Sequence, residues 1–181
     1  MLTEMEDRLS AVTRWGIIRT LQKQTVADHS YRVTLLAEKV ARDWFGLNTP
    51  NDLYSVLRYA LDHDKIEAVS GDFPSIIKDV VNEKELERRY ADVIHITSPS
   101  DMAKNCVKIA DRIEAIIFLR LEVALGNTTV QHVIDDVKES LRDYLSKMGR
   151  PDLWDRYVEE VEYSGWASTG MVCHPLNRRP K

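Results

Sequence analysis

The segment from Met102 to Leu125 carries apolar residues on almost every face, so a helix formed there has no side to turn toward water. Other helices must cover it all round, yet Asp111 stands in its middle. An ionised carboxylate in such a core costs several kcal/mol unless it is paired or bound to a metal. The same difficulty recurs at three more positions. His29 lies between Val26 and Val33 on the apolar face of a helix that Thr25 can cap, and His63-Asp64 closes a stripe begun by Leu53, Val56, Leu57 and Ala60. A single histidine on an apolar face is ordinarily a satisfied core residue. Two imidazoles and two carboxylates on three core helices read instead as ligands of one divalent cation in a helical bundle, with nitrogen and oxygen donors and no nearby cysteine.

The rest of the chain supplies the covering helices. Strand alternation is missing apart from Val93-Ile94-His95-Ile96, which is too short to build a sheet. A first helix is expected from Thr3 to Leu21, with Leu9, Val12, Ile17 and Leu21 among its apolar positions. A second runs from Thr25 to Phe45 and is closed by Gly46; a third opens at Thr49 or Asn51 and carries His63 and Asp64. A short helix through Glu67 ends near Gly71, and another begins at Ser75 or Ile76. Lys84 to Arg89 reads as a solvated helix face. Ser98-Pro99-Ser100-Asp101 starts the central helix, Gly126-Asn127 stops it, and Val130–Met148 and Asp152–Tyr163 complete the bundle. The expected organisation is one all-α domain over residues 1–163, with residues 164–181 as a C-terminal tail or arm.

Bulk properties exclude several classes. With 181 residues the chain is long enough for one substantial core. A net charge of −4 gives no strong field for nucleic acid or an anionic membrane, and Arg178-Arg179 reads as a solvated tail. No apolar run reaches the roughly 18 residues of a membrane span, so a cytoplasmic protein (host cytoplasm if viral) is expected. Cys106 and Cys173 are too few for a disulfide framework, and Cys106 reads as a buried reduced thiol.

The order His29, His63-Asp64, Asp111 resembles the H…HD…D pattern of the HD-domain metal-dependent phosphohydrolases. The flanks sharpen it: Arg14-Trp15, Ala27-Asp28-His29-Ser30, and His63-Asp64-x-x-Glu67-x-x-x-Gly71-Asp72-x-Pro74. Together they are similar to the small bacterial 5′-deoxynucleotidases of this superfamily and to related bacteriophage enzymes, including dATP triphosphohydrolases. The resemblance spans Arg14 to Asn127. It implies an HD-type bundle, a small-molecule deoxynucleotide substrate, one catalytic divalent metal (Co, Mn, Zn, Ni or Mg) with additional Mg on the phosphates, and a homo-oligomer, either a dimer or a larger ring.

It also implies roles. His29, His63, Asp64 and Asp111 would hold the metal, whose bound water attacks phosphorus. Glu67, by residue type alone an exposed carboxylate, becomes the acid-base group beside Asp64. Asp72, otherwise a helix cap, takes the sugar 3′-hydroxyl. Arg14 and Lys78 bind phosphate, with Arg19 a lesser candidate. Trp15, on composition equally an ordinary core residue, lies against sugar and base, with Ile17 and Pro74 shaping the base pocket. The Arg14-Trp15-Gly16-Ile17 motif and short connections are closest to the bacteriophage forms, favouring a dATP-type triphosphohydrolase over a 5′-deoxynucleotidase of monophosphates. Two readings compete from other classes. One is a catalytically silent regulatory module. The other is an HD-type di-iron oxygenase, which needs further ligands from His95, His132 or His174, all in weak contexts.

Overall fold

The computed structural model describes residues 3–73 and 82–163, and among these the backbone is helical, with one isolated β-bridge between Thr13 and Thr25. Helix α1 spans Glu4–Arg8, α2 Val26–Lys39, α3 Pro50–Asp62, α4 Glu67–Ser70, α5 Glu83–Arg89, α6 Asp101–Ala124, α7 Gln131–Lys147 and α8 Asp152–Tyr157. π-Helical turns at Val40–Trp44 and Val158–Tyr163 extend α2 and α8, and a 3-10 turn at Thr128–Val130 leads into α7. The all-α expectation holds, and the Val93–Ile96 run forms no strand.

The long helices start where side chains satisfy their first amides. Thr25 and Asp28 form a reciprocal capping box at α2, Thr49 caps α3 with Pro50 at its first position, and Ser100 Oγ accepts from Ala103 N at 3.1 Å to open α6. Gly46, at φ +66°, ends the α2 extension in the left-handed region that glycine enters without penalty.

Central α6 packs against α2, α3 and α7. Cys106, Ile109, Ile113, Ile116 and Leu119 of α6 share one core with Val33, Ala37 and Val40, with Val56 and Ala60, and with Ile134, Leu141 and Leu145. Burial pushes the Cys106 thiol up to about 12. Its thiolate therefore emerges only as pH rises toward that value. Thiol alkylation of the native protein at about pH 8 is expected to leave the Cys106 peptide unmodified by mass spectrometry, with labelling after denaturation. Rapid native labelling would contradict this burial.

Two expectations change. The first helix ends at Arg8 rather than continuing to Leu21. Arg14 N donates to Gln24 O at 2.9 Å and Val26 N to Val12 O at 3.0 Å, which fold residues 9–14 back against the start of α2. Trp15 lies at φ +66°, where no right-handed helix continues. Leu9 is buried, but Ile17 and Leu21 are 62% and 60% exposed, so the periodic apolar positions share no face. The second change is at α3, which ends at Asp62; His63–Ile66 form a turn. Lys65 N→Asp62 O and Glu67 N→Asp64 O, both 3.0 Å, tighten that turn. The helix expected from Ser75 or Ile76 and the tail at 164–181 lie outside the described residues. Among the described residues no helix is long and apolar enough to cross a membrane.

Candidate active site

The turn after α3 projects His63 and Asp64 toward His29 on α2. Ligand atoms of His29, His63 and Asp64 all lie within 4.8 Å of one another. His29 Nε2 is 3.4 Å from Asp64 Oδ2, and His63 Nε2 is 3.4 Å from the same oxygen. Asp111 joins from α6, its Oδ1 3.2 Å from His29 Nε2. Neither Nε2 makes a hydrogen bond of acceptable geometry, although both are buried. Close approach without hydrogen-bond geometry fits donors converging on one ion. Ligands at about 2.1 Å from a metal stand about 3.0 Å apart on an octahedral edge and about 3.4 Å on a tetrahedral one.

The other ring nitrogens orient the histidines. His63 Nδ1 is 2.7 Å from Ala60 O, and His29 Nδ1 is 2.8 Å from Glu114 Oε2. Each Nδ1–H held by an oxygen leaves Nε2 as the lone-pair donor, a common arrangement for metal-binding histidines. Burial and the Arg14 charge push the His29 imidazole toward neutrality. Asp111, Asp64 and Glu114 outweigh them and hold its pKa up at about 10. Desolvation pushes the Asp111 carboxyl up, but His29 and Arg14 hold it well below the usual carboxylate range. The cluster therefore favours positive charge beside His29 Nε2, where Asp64 and Asp111 approach. Its imidazole and carboxylate set fits a divalent cation, without selecting among Co, Mn, Zn, Ni and Mg.

Asp62, unmarked by sequence reasoning, fixes the turn that carries two of the donors. Fully buried, it accepts from Arg58 Nε and Nη2 at 2.9 Å each and from Thr97 N and Oγ1 at 3.2 and 3.0 Å. Lys65 Nζ stands 2.9 Å from its Oδ1 and 3.2 Å from Glu6.

Around the donors lie the other expected residues. Glu67, at the start of α4, is only 2% exposed rather than a surface carboxylate. Arg14, partly buried, stands among Glu114, Asp111 and Asp72 at 3.5, 3.9 and 4.0 Å, and also contacts His29 Nδ1. Burial alone would lower its pKa; Asp111, Asp64, Glu114 and Glu67 raise it. Asp72 Oδ2 accepts from Trp15 N at 3.0 Å, a tie between distant segments. The Trp15 ring stacks on Phe118 at 5.7 Å between centroids, with the Arg14 guanidinium 5.3 Å above it.

A cavity of about 300 Å³ opens beside the donors, lined by Arg14, Trp15, Ile17, Asp72 and Asp111 together with Ala115 and Val137. Arg19 is exposed and does not line it. Pro74 and Lys78 lie outside the described residues. His95 and His132 are exposed on the surface.

One stripe of α6 organises all of this. Asp111, Glu114, Phe118 and Glu122 recur every third or fourth residue, on one helical face. Asp111 and Glu114 meet His29, Phe118 meets Trp15, and Glu122 accepts the backbone N–H groups of Leu21 and Gln22. Glu114, Glu122 and Gln24 were not anticipated from the sequence. A carboxylate inside the apolar run was the available signal for the first two.

A helical bundle that brings His29, the His63-Asp64 turn and Asp111 together in this order defines an HD-domain phosphohydrolase, a metal-dependent hydrolase. A family model described as 5′-deoxynucleotidase YfbR-like matches residues 2–93, and the chain belongs to that family. The dATP triphosphohydrolase of cyanophage S-2L is 31% identical over 156 residues, covering 78% of this chain and 85% of its own. A 5′-deoxynucleotidase of Pasteurella multocida (strain Pm70) is 28% identical over 146 residues, covering 67% and 73% respectively. The structure of the cyanophage S-2L HD phosphohydrolase bound to dA and one catalytic Zn²⁺ ion superposes with a TM-score of 0.57 at 25% identity, covering 88% of this chain and 98% of that one.

Proposed function

We propose that this protein is a divalent-metal-dependent deoxynucleotide phosphohydrolase of the dATP triphosphohydrolase type, releasing deoxynucleoside and triphosphate. The observation that carries the chemistry is the cluster of His29, His63 and Asp64, joined through His29 by Asp111, which also lines a cavity walled by Arg14 and Trp15. Similarity to the cyanophage enzyme over most of both chains supports the substrate. His29, His63, Asp64 and Asp111 would hold a divalent cation, which when bound would acidify a water molecule and polarise a phosphoryl oxygen near neutral pH.

The chain's own groups do the rest. Arg14, preorganised among carboxylates, presents a guanidinium to the phosphoryl oxygens as charge builds on them. Water adds at the α-phosphorus and gives a proton to Glu67, the bond from phosphorus to the 5′-oxygen breaks, and Glu67 passes that proton to the leaving oxygen. Asp72 accepts from Trp15 N with Oδ2, and its Oδ1, 4.0 Å from Arg14 Nε, takes the 3′-hydroxyl. The Trp15 ring lies against the sugar and base, with Ile17 and Pro74 shaping the base pocket, and its bulk disfavours a ribose 2′-hydroxyl. Lys78 and additional Mg²⁺ serve the outer phosphates, with Arg19, exposed and outside the cavity lining, a lesser candidate. The proposed domain is residues 1–163, with 164–181 as an appended arm. A homo-oligomer, dimer or larger ring, is supported by exposed Tyr31 and Leu35 on α2 and Tyr54 and Leu61 on α3; sedimentation tests it.

Each dNMP, dNTP and ribonucleotide, incubated with Co²⁺, Mn²⁺, Zn²⁺ or Mg²⁺ and separated by chromatography, decides among the readings. Deoxyadenosine and triphosphate from dATP are expected. Deoxynucleosides from monophosphates alone would replace this reading with a 5′-deoxynucleotidase, which the Pasteurella relative supports. No release from any of them by metal-loaded protein would leave a silent module.

A further inference from the structure

We propose that Gln24 and Glu114 are positioning residues, joining the Trp15 indole on the cavity wall to the metal ligand His29 through one directional hydrogen-bond chain. The inference rests on the metal site described above and not on the identity of the nucleotide. Trp15 Nε1 donates to Gln24 Oε1 at 2.8 Å, and Gln24 Nε2 donates to Glu114 Oε1 at 2.7 Å. Glu114 Oε2 stands 2.8 Å from His29 Nδ1. Gln24, Glu114 and His29 are 3%, 1% and 0% exposed, so water offers no alternative partners.

The direction of this chain follows from the donor inventory. An indole nitrogen can only donate, so Gln24 must turn its carbonyl oxygen toward Trp15. Its amide group then faces Glu114 and can only donate. A carboxylate between that amide and the Arg14 guanidinium, 3.5 Å away, is an acceptor on both oxygens. Glu114 therefore favours a proton on His29 Nδ1, against the donor-only Arg14 guanidinium that also contacts this nitrogen, and Nε2, which faces Asp64 and Asp111, is the nitrogen a metal would take. The proton position that leaves Nε2 to a metal is thus supported by a chain that begins at a tryptophan lining the cavity.

The cavity end of the chain is itself tightly held. Trp15 occupies the left-handed region at φ +66°, a conformation costly for a bulky residue unless its surroundings over-determine it. They do so through the Phe118 stack, the Asp72 carboxylate, the bond to Gln24 and the Arg14 N–H donated to Gln24 O. Gln24 thus holds the Arg14-Trp15 turn by its backbone and His29, through Glu114, by its side chain. Phosphate-side, sugar-side and metal-side groups share one buried residue.

The test measures metal binding without substrate, using Mn²⁺ and Zn²⁺ titrations of the full chain. Gln24→Met keeps length and apolar bulk but removes both bonds of the chain. Its dissociation constant for either metal is expected to rise about 10- to 100-fold, the usual effect of losing an outer partner of a metal ligand. Trp15→Phe retains the ring but removes the obligate donor, and a rise of about threefold or more is expected; this variant decides the matter if Gln24→Met does not fold. The double variant is expected to bind no more weakly than Gln24→Met, because both changes cut the same chain. In zinc-loaded protein the His29 Nδ1 proton is expected to exchange slowly with water, and faster in both variants, a readout that general loosening elsewhere would not single out. Wild-type affinity in both folded variants would overturn the proposal while leaving the metal site intact. Wild-type protein that binds neither metal would overturn the site and this chain together.

Discussion

Asp64→Ala is expected to abolish phosphohydrolase activity, lowering kcat/KM at least about a thousandfold, or ~4 kcal/mol of transition-state stabilisation. Its Oδ2 is the oxygen that both His29 Nε2 and His63 Nε2 approach, at 3.4 Å each. Removing it takes the shared vertex from the donor cluster, and the remaining imidazoles are left with Asp111 across the site. Metal titration should show the loss directly, as binding too weak to saturate at millimolar concentrations. The fold should survive, because Asp64 lies at the cluster rather than in the core of α2, α3 and α6. Circular dichroism checks that condition. Activity within tenfold of wild type in a folded, metal-depleted Asp64→Ala protein would remove the metal from the mechanism and return the site to structural duty.

The second large effect concerns stability. Asp62→Ala is expected to cost about 3 kcal/mol in urea denaturation, at the low end of what breaking a buried ion pair costs. Asp62 gathers Arg58, Lys65 and Thr97 in one fully buried carboxylate. Without it Arg58, about one-third exposed, can turn to water, and Lys65 keeps Glu6 at 3.2 Å. Those alternatives hold the cost below the upper end of the range. Asp62→Asn retains an acceptor for Thr97 and should lose less. Because the His63-Asp64 turn hangs from this residue, metal affinity should fall in step with stability. A cost under about 1 kcal/mol for Asp62→Ala would show that the turn is held by its backbone bonds alone.

The sequence was most legible where one helix carried its own signals. Thr25 announces a helix start that the structure contains, the two candidates Thr49 and Asn51 resolve to Thr49, and the apolar run after Ser98-Pro99-Ser100-Asp101 is the central helix, capped by Ser100. Legibility failed where distant segments decide local shape. The apolar residues at Leu9, Val12, Ile17 and Leu21 imitate helical spacing, but residues 9–25 are claimed by α2, Asp72 and Glu122, none of which is close in sequence. The His63-Asp64 pair looked like the last turn of a stripe because periodicity does not register a buried Asp62 that stops the helix. Glu114 and Gln24 escaped notice for another reason. A search for metal ligands weighs residues that touch the ion, whereas these two touch the residues that would. The burial of Glu67, more complete than its residue type suggests, likewise depends on the close turn before α4.

The stripe along α6 makes the site sensitive to helical phase. Asp111, Glu114, Phe118 and Glu122 address four separate points of the segment from Arg14 to His29. Inserting or deleting a single residue between Asp111 and Glu122 would rotate one end of the stripe by about 100° relative to the other and misalign every contact beyond it. Gly16 to Thr20, by contrast, bridges two moorings, at Trp15 and at Leu21-Gln22. Ile17 borders the cavity from that bridge. Change of length is therefore confined to the arch and forbidden to the helix beneath it. Diversification of what the cavity accepts can proceed in five residues while the spacing of the metal donors stays constant.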